Sequence, residues 1–416
     1  MTPPLSILVA GAGIGGLAAA VALRMAGHSV RILDSFDSPR PVGSGLVVQP
    51  VGQRVLDWLG AGAAVRATGQ PIRVLRGIEA RTGITALSVR YDTGAPGQHG
   101  LGLHRASLFT ALHDRLTALG LIVETGCLVQ TSDVADHGRW VQLADGRRLG
   151  PFDLVVDALG SHSPLSPLVS RPLPYGALWT TLRWPDGTDL PDDHLSQRYL
   201  AARRMVGILP VGTLPDSTTR LNAFFWSIRA DALPGWQAAP LEAWKTEVLD
   251  LWPALRPWMD QITDKDQLTF AQYTHGTLSK PYADRLVHIG DCAHRTSPQL
   301  GQGANMALLD ALALTRALDQ ATLADALPLY RRIRWGHLRV YQALSRFLTP
   351  QYQHDSALLA VARDRVFAPM ARVWPFPRVL GSIASGLIVP PLAGEAHLGR
   401  RPQPPAWAVD ATPREW

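Results

Sequence analysis

Apolar positions along the chain follow two rhythms, a helical one and a period of two. The unbroken apolar run Ser6–Ala10, closed by glycine, predicts a buried parallel strand. Residues 17–25, rich in Ala and Leu, predict a helix that stops at Gly27. Residues 30–33 predict a second strand with Asp34 at its end. Residues 51–59 and 107–119 place Leu and Val at helical spacing, each segment closed by a glycine. Residues 73–91 read as a hairpin turning at Arg81-Thr82-Gly83. Between residues 121 and 156 short strands are separated by Asp136-His137-Gly138 and by Asp145-Gly146, a two-residue hairpin signal, so a β-meander is expected there. Residues 178–184, 205–210 and 220–229, rich in Trp, Phe and Thr, predict the antiparallel sheet of a second domain. A helix over 241–252, stopped by Pro253, is expected on it.

The first strand and helix carry candidate chemistry. Gly11, Gly13 and Gly16 stand between them in G-x-G-x-x-G order. The first glycine permits a tight turn, the second lets the backbone approach a pyrophosphate, and the third lets helix and sheet pack closely. The helix N-terminus offers unpaired N–H groups to phosphates, and Asp34 is placed to accept from a ribose hydroxyl. A dinucleotide site follows. The inserted meander is unusual for a plain NAD dehydrogenase.

Composition limits the partners. With 46% hydrophobic and 18% charged residues, a disordered chain is excluded. The 416 residues suggest two or three domains. A net charge of +6 is modest for this length. It argues against nucleic acid and leaves anionic small molecules or a weak membrane-surface contact. Two cysteines, Cys127 and Cys292, exclude a disulfide scaffold and a Cys-rich zinc module, and suit a reducing cytoplasm. No metal-ligand spacing is visible. Residues 7–23 are apolar, but only Met-Thr-Pro-Pro-Leu-Ser precedes them and glycines interrupt them, so no signal peptide is expected. Residues 379–391 are too short to span a membrane. The basic, amphipathic residues 328–348 are expected to form a surface helix packed on its own domain.

The segment from residue 285 onward is more specific. A strand ends in Gly290-Asp291, followed by Cys292-Ala293-His294, then Pro298-Gln299-Leu300-Gly301-Gln302-Gly303-Ala304-Asn305 and a small-residue helix containing Asp310-Ala311. The pattern G-D-x-A-H…P-x-x-G-Q-G-x-N, with the first glycine motif and Arg105 before a helix, resembles a known family over residues 6 to about 320. This is the FAD-dependent aromatic hydroxylases of the p-hydroxybenzoate hydroxylase fold, the group A flavoprotein monooxygenases.

The resemblance implies an α/β protein: a Rossmann-like FAD-binding fold with the β-meander inserted, plus a mixed or antiparallel-sheet substrate domain. The FAD domain would cover 1–171 and 271–345, the substrate domain 172–270, and a C-terminal helical region with a Pro-rich tail 346–416. Asp291 would bond the ribityl or pyrophosphate region of FAD, and Pro298 would face the flavin near its reactive carbon. Gly301, Gly303, Ala304 and Asn305 would bring helix N-terminal N–H groups to the pyrimidine end of the ring, where reduced flavin is an anion. Arg105 would contact the phosphate side. Arg40 and Gly43 to Gly45 match a loop near the adenosine and flavin.

The implied chemistry belongs to the flavin. NADPH or NADH reduces FAD and leaves, O2 adds at the flavin C4a as a hydroperoxide, and a small aromatic or quinone-like substrate takes the terminal oxygen. The protein holds the ring and excludes water. A reductase or ligand-sensing flavoprotein on the same fold is the alternative. A halogenase is disfavoured, because Phe225-Trp226-Ser227-Ile228-Arg229 does not match W-x-W-x-I-P. Tyr199, Phe225, Trp226, Tyr273 and His275 are candidate pocket residues, each of which also reads as core. His275 is the candidate for substrate deprotonation, and His294 reads as a structural neighbour of FAD. The oligomeric state stays open.

One motif departs from the family. The usual D-G-x-x-S-x-x-R becomes Asp157-Ala158-Leu159-Gly160-Ser161-His162-Ser163, with Ser166 in the arginine's place. Gly160 and Ser163 fit, and Leu159 replaces the acid, although Asp157 lies two positions earlier. FAD binding is expected to survive this, whereas coenzyme recognition is left open.

Overall fold

The computed structural model describes residues 3–38, 44–135 and 137–393. Arg40 and Gly43 and the expected tail beyond residue 393 lie outside the described residues. The apolar run Ser6–Ala10 is the centre of a six-stranded sheet. On one side it pairs in parallel with Ser29–Leu33 and then Val123–Glu124. On the other it pairs with Leu154–Asp157, Leu286–His288 and an antiparallel edge, Tyr282–Ala283. Ile7 stands opposite both Val30 and Leu154. Its Ile7 and Val9 pack against helices and its Leu8 and Ala10 against the β-meander, so both faces are covered and no alternation appears in it.

The helix Ile14–Met25 lies on this sheet and is buried from Gly16 to Leu23. Its alanines allow the helix Gly303–Gln320 to pack beside it, and a Cβ on Gly15 would meet the Ala307 methyl at 3.2 Å. Leu17, Val21, Leu308 and Leu312 belong to the core formed there.

The second sheet has eight strands and is mixed. In order they are His294–Arg295, Thr269–Thr277, Arg171–Arg183, Leu221–Arg229, Arg204–Gly212, His194–Leu200, Val74–Glu79 and Thr85–Arg90. All pairs are antiparallel except His194–Leu200 with Val74–Glu79. The hairpin over 74–90 and the strands around 269–295 lie outside 172–270, yet they complete the same sheet. The expected meander forms a separate three-stranded sheet, Val129–Ala135, Gly138–Leu143 and Arg148–Phe152. A further three-stranded sheet, Gly45–Val48, Gly100–His104 and Gln70–Ile72, lies between the two large ones.

The expected surface helix over 328–348 is part of a 30-residue helix, Leu323–Tyr352. It is more deeply embedded than its basic sequence suggests, since Arg334 and His337 are buried.

Gly16 is the tightest point of the first unit, where a Cβ would sit 1.8 Å from the Gly11 carbonyl oxygen. Gly16→Ala should therefore destabilise the protein by about 2 kcal/mol, read by urea unfolding. An unchanged midpoint would contradict this packing.

Candidate active site

Gly11 turns the chain out of the first strand with φ +102°, and its N–H donates to the Leu33 carbonyl at 2.9 Å. Gly13 is its complement, since a Cβ added there meets no heavy atom within 4 Å. The helix that starts after Gly13 has no side-chain cap and no acid in its first turn, so its leading N–H groups stay available to an anion. Asp34, half-buried, accepts from Ala12 N and Ser35 N, both at 2.6 Å. Oδ1 also accepts from Ser35 Oγ at 3.4 Å, so the carboxylate is fixed beside the glycine turn while Oδ2 keeps a lone pair free.

The helix Gly303–Gln320 repeats the arrangement. It too lacks a side-chain cap and an acid in its first turn, and a Cβ on Gly303 meets nothing within 4 Å. Asn305 is buried and latches this end to the first half of the chain. Its Oδ1 accepts from Gln49 N at 2.9 Å, and its Nδ2 donates to Gly301 O at 2.8 Å and Val47 O at 3.3 Å. Pro298 is exposed at the start of a one-turn helix that ends on Gly301 at φ +60°. Ala304 follows, half-buried.

Asp291 is exposed in the turn Gly290–Cys292. That turn is anchored from beneath by Asp310, which lies buried in the apolar helix. Asp310 Oδ2 accepts from Gly290 N at 2.9 Å and faces His294 Nε2 at 2.6 Å, while Oδ1 accepts from Arg334 Nε at 2.8 Å. Burial would raise this carboxyl, but His294, Arg334 and the Gly290 N–H outweigh it and hold it at about 2. Arg105 opens the helix Arg105–Thr117 with an exposed side chain. Gly45 lies where two sheets approach, and a Cβ there would sit 2.1 Å from Val211 Cγ1.

The departing motif has a clear structure. Asp157 does not take the place of an acid at 159. It is buried, accepts from Ser163 Oγ at 2.7 Å and Leu159 N at 3.1 Å, and faces His288 Nδ1 at 2.7 Å. Gly160, at φ +74°, has nothing within 4 Å of an added Cβ. Ser166 Oγ donates to Cys292 O at 2.5 Å. Arg295 reaches across this loop, donating to the Ser161 carbonyl, to Ser170 Oγ at 2.6 Å and to Asp291 O at 3.0 Å. Ligand atoms of Asp157, His288 and Cys292 lie within 4.8 Å of one another. They are hydrogen-bonded, His288 to the Asp157 carboxylate and the thiol to the Asp157 and Ile289 carbonyls.

The eight-stranded sheet presents two faces. Leu178, Phe224, Trp226 and Ile228 pack under Trp244 and Trp258, with Trp226 edge-on to Trp244 at 6.3 Å. Trp226 is therefore core and not pocket. Trp179 and Phe225 occupy the opposite face, their rings 4.9 Å apart, with Tyr199 in the same cluster. Tyr273 is buried beside the Trp179 indole, and its hydroxyl proton has no acceptor.

Pairing of Gly276 with Arg295 brings His275 to the segment that contains Pro298. There His275 Nε2 lies 3.2 Å from Ser345 Oγ, which accepts from Thr296 Oγ1 at 2.6 Å and lies 3.0 Å from Ser297 Oγ. Ser297 Oγ lies 2.5 Å from Thr349 Oγ1. This buried hydroxyl chain escaped sequence reading, because its members come from three separated elements. Arg334 escaped too, although a lone acid in the apolar helix (Asp310) signalled a buried cation somewhere.

The two uncapped helix ends, the bare glycines and the fixed acid at Asp34 suit a dinucleotide with a phosphate and an electron-rich ring. Comparisons with known proteins agree. A family profile described as "FAD binding domain" matches residues 5–326. The aurachin C monooxygenase/isomerase of Stigmatella aurantiaca is 29% identical over 394 residues, 89% of this chain and 96% of that protein. An FAD-dependent urate hydroxylase of Klebsiella pneumoniae is 28% identical over 347 residues, 80% of this chain and 86% of that one. The crystal structure of Klebsiella pneumoniae HpxO with FAD and uric acid shares the fold at TM-score 0.78 and 21% identity, covering 93% of this chain and 97% of that one. Among the described residues no helix is long and apolar enough to cross a membrane.

The depressed Asp310 carboxyl has a signed consequence. Its pKa lies below the unfolded value, so its stabilisation is present above about pH 4 and is lost as the pH falls through about 2, a loss of about 2 kcal/mol. Asp310→Asn should destabilise by about 3 kcal/mol at pH 7 by leaving Arg334 unpaired, and the gap to wild type should narrow in acid. Urea unfolding at several pH values checks both; equal stability at pH 7 would refute the anchor.

Proposed function

The chain belongs to the FAD binding domain family and is an FAD-dependent monooxygenase of aromatic compounds; from that premise we propose that its substrate is a flat, electron-rich fused ring bearing an ionisable OH or NH. Urate, named for one relative, is a ring of this kind. The observation that carries the reading is the inner face of the eight-stranded sheet, where Trp179 and Phe225 offer apolar ring surface and the buried Tyr273 O–H finds no acceptor for its proton, with only the Trp179 indole N–H facing its oxygen. A buried unpaired hydroxyl is unfavourable by about 1–3 kcal/mol, and a polar ring substituent would relieve it.

FAD supplies electron transfer to O2 and insertion of one oxygen atom, with NADPH or NADH as the proposed reductant. In our reading the N–H groups after Gly13 hold the pyrophosphate, Asp34 holds the ribose, and Arg105 and Asp291 complete the polar contacts. The N–H groups over Gly301, Gly303, Ala304 and Asn305 stabilise negative charge on the reduced ring. Pro298 would face the substrate side of the ring.

His275 takes the substrate proton at its free ring nitrogen. Burial and then Arg346 lower its pKa, so the ring is neutral and basic near pH 7. Ser345, held by Thr296 and Ser297, fixes the orientation of the imidazole through Nε2.

A yellow protein releasing FAD on denaturation, with NADPH or NADH oxidation and O2 uptake stimulated by hydroxylated bicyclic aromatics, would support the substrate class. Stimulation by single-ring compounds alone would overturn it. Asp291→Ala should lower flavin occupancy at least about ten-fold with unchanged circular dichroism; full occupancy would refute the placement. His275→Asn should retain flavin, lower kcat about a hundred-fold and remove the acid limb of the kcat profile, which in wild type lies below pH 6.5 because the pKa is lowered. An unaltered pH profile would exclude the histidine.

A further inference from the structure

Most of the large apolar side chains left exposed lie in one stretch near the C-terminus. Among the described residues there are fourteen, and nine fall between residues 358 and 379. Leu358, Val373 and Trp374 are the most open, at 75%, 61% and 76%. Phe367 at its middle meets Phe347 of the long helix edge-on at 6.2 Å, which extends the ridge onto that helix. A folded monomer rarely leaves so dense an apolar strip to water without a use for it.

The charges around the strip have one sign. Residues 357–393 contain Arg363, Arg365, Arg372 and Arg378 but a single acid, Asp364. That acid is occupied by the buried Arg363, which also lies over the Tyr199 ring at 4.8 Å. Arg365, Arg372 and Arg378 are exposed and, among the described residues, have no carboxylate within ion-pair distance.

Next to the strip, the sheet edge continues the positive surface. A cleft of about 310 Å³ is lined by Arg76, Ser88, Arg90, His194 and Arg372. A neighbouring one of about 420 Å³ adds Arg365 beside Thr85. Local acids neutralise part of this surface. Asp92 pairs with Arg90, and Asp193 lies 3.0 Å from His194 and 3.7 Å from Arg73. Arg76 keeps no such partner among the described residues; it stands opposite Ser196 on the adjacent strand, and Arg198, two residues further along, adds to the positive potential.

We propose that this apolar ridge and its arginine-lined clefts dock the enzyme on an anionic lipid bilayer. Trp374, Val373 and Phe367 enter the interface, while Arg76, Arg365 and Arg372 take the lipid phosphates. Aromatic and aliphatic side chains flanked by cations that Asp92, Asp193 and Asp364 offset only in part suit the boundary between acyl chains and negative head groups. A second copy of this chain would bring the same unpaired arginines against each other, which disfavours self-association through this face.

The test is sedimentation of the full-length, flavin-loaded enzyme with phosphatidylcholine vesicles, with and without phosphatidylglycerol, at low and high salt. Binding is expected only to the phosphatidylglycerol vesicles, and should weaken at high salt. Arg372→Glu and Trp374→Ser alter exposed side chains, so both should keep wild-type melting temperature and flavin content. Each should lower binding to the anionic vesicles at least about five-fold. No vesicle binding, or equal binding to neutral vesicles, would overturn the proposal. So would a concentration-dependent dimer, seen by light scattering, that Trp374→Ser abolishes, since the ridge would then be a subunit contact.

Discussion

A carboxylate in the middle of an apolar helix is the constraint on which the two halves of the site depend. Asp310 is buried, and a charge is tolerated there only because the fold delivers three donors to it. They come from the turn that carries Asp291, from the short strand beginning at His294, and from the long helix through Arg334. Arg334 also donates to the Pro391 carbonyl at 3.0 Å, which draws the end of the described chain into the same network. Moving any one element strands a buried charge or a backbone N–H. The position of the second helix end relative to the Asp291 turn is thereby set by electrostatics that water cannot screen. Asn305 does the equivalent for the first half of the chain, where a Cβ on Gly52 would sit 2.1 Å from its Oδ1.

The site also depends on a division between the faces of the eight-stranded sheet. One face is committed to packing, with Trp184 and Trp258 meeting edge-on at 5.7 Å, as do Trp226 and Trp244 nearby. Such ring pairs stiffen the sheet. The other face can then carry groups whose polar atoms are incompletely satisfied, such as Tyr273, without loss of the fold. The face proposed for the substrate is thus backed by a rigid one.

Much of this was legible in the sequence, for physical reasons that differ by region. The glycine turn is local: its strand, helix and acid lie within a few dozen residues, and each glycine answers a steric demand at its own position. The Gly290–Asn305 segment was legible as a pattern. The hairpin over 74–90 was recognised as a hairpin but not as part of the distant sheet, because pairing of Val74–Glu79 with His194–Leu200 is a long-range choice that neither strand announces. Naming both Phe225 and Trp226 as pocket residues conflicted with strand geometry, since neighbours in a strand point to opposite faces. The period of two could have separated them. The hydroxyl chain from His275 to Thr349 had no comparable signal, because Ser and Thr in a helix interior look like ordinary solvent-facing residues until the partner strand arrives.

The altered motif at 157–166 shows how a local substitution and a distant residue work together. With Ser at 166, no side chain of that segment brings a cation to the loop, and with Leu at 159 no acid stands beside Gly160. Yet the loop is not slack. Asp157 fixes it from the core through Leu159 N and Ser163 Oγ, and Arg295 fixes it from the far side through Ser161 and Ser170. The guanidinium is five donors on a rigid fork, which is what allows one side chain to bond three separated segments at once. Arg295 sits one residue past His294, so the loop is coupled through a single peptide bond to the Asp310 network. A positive charge thus remains against the loop, supplied from the second half of the chain.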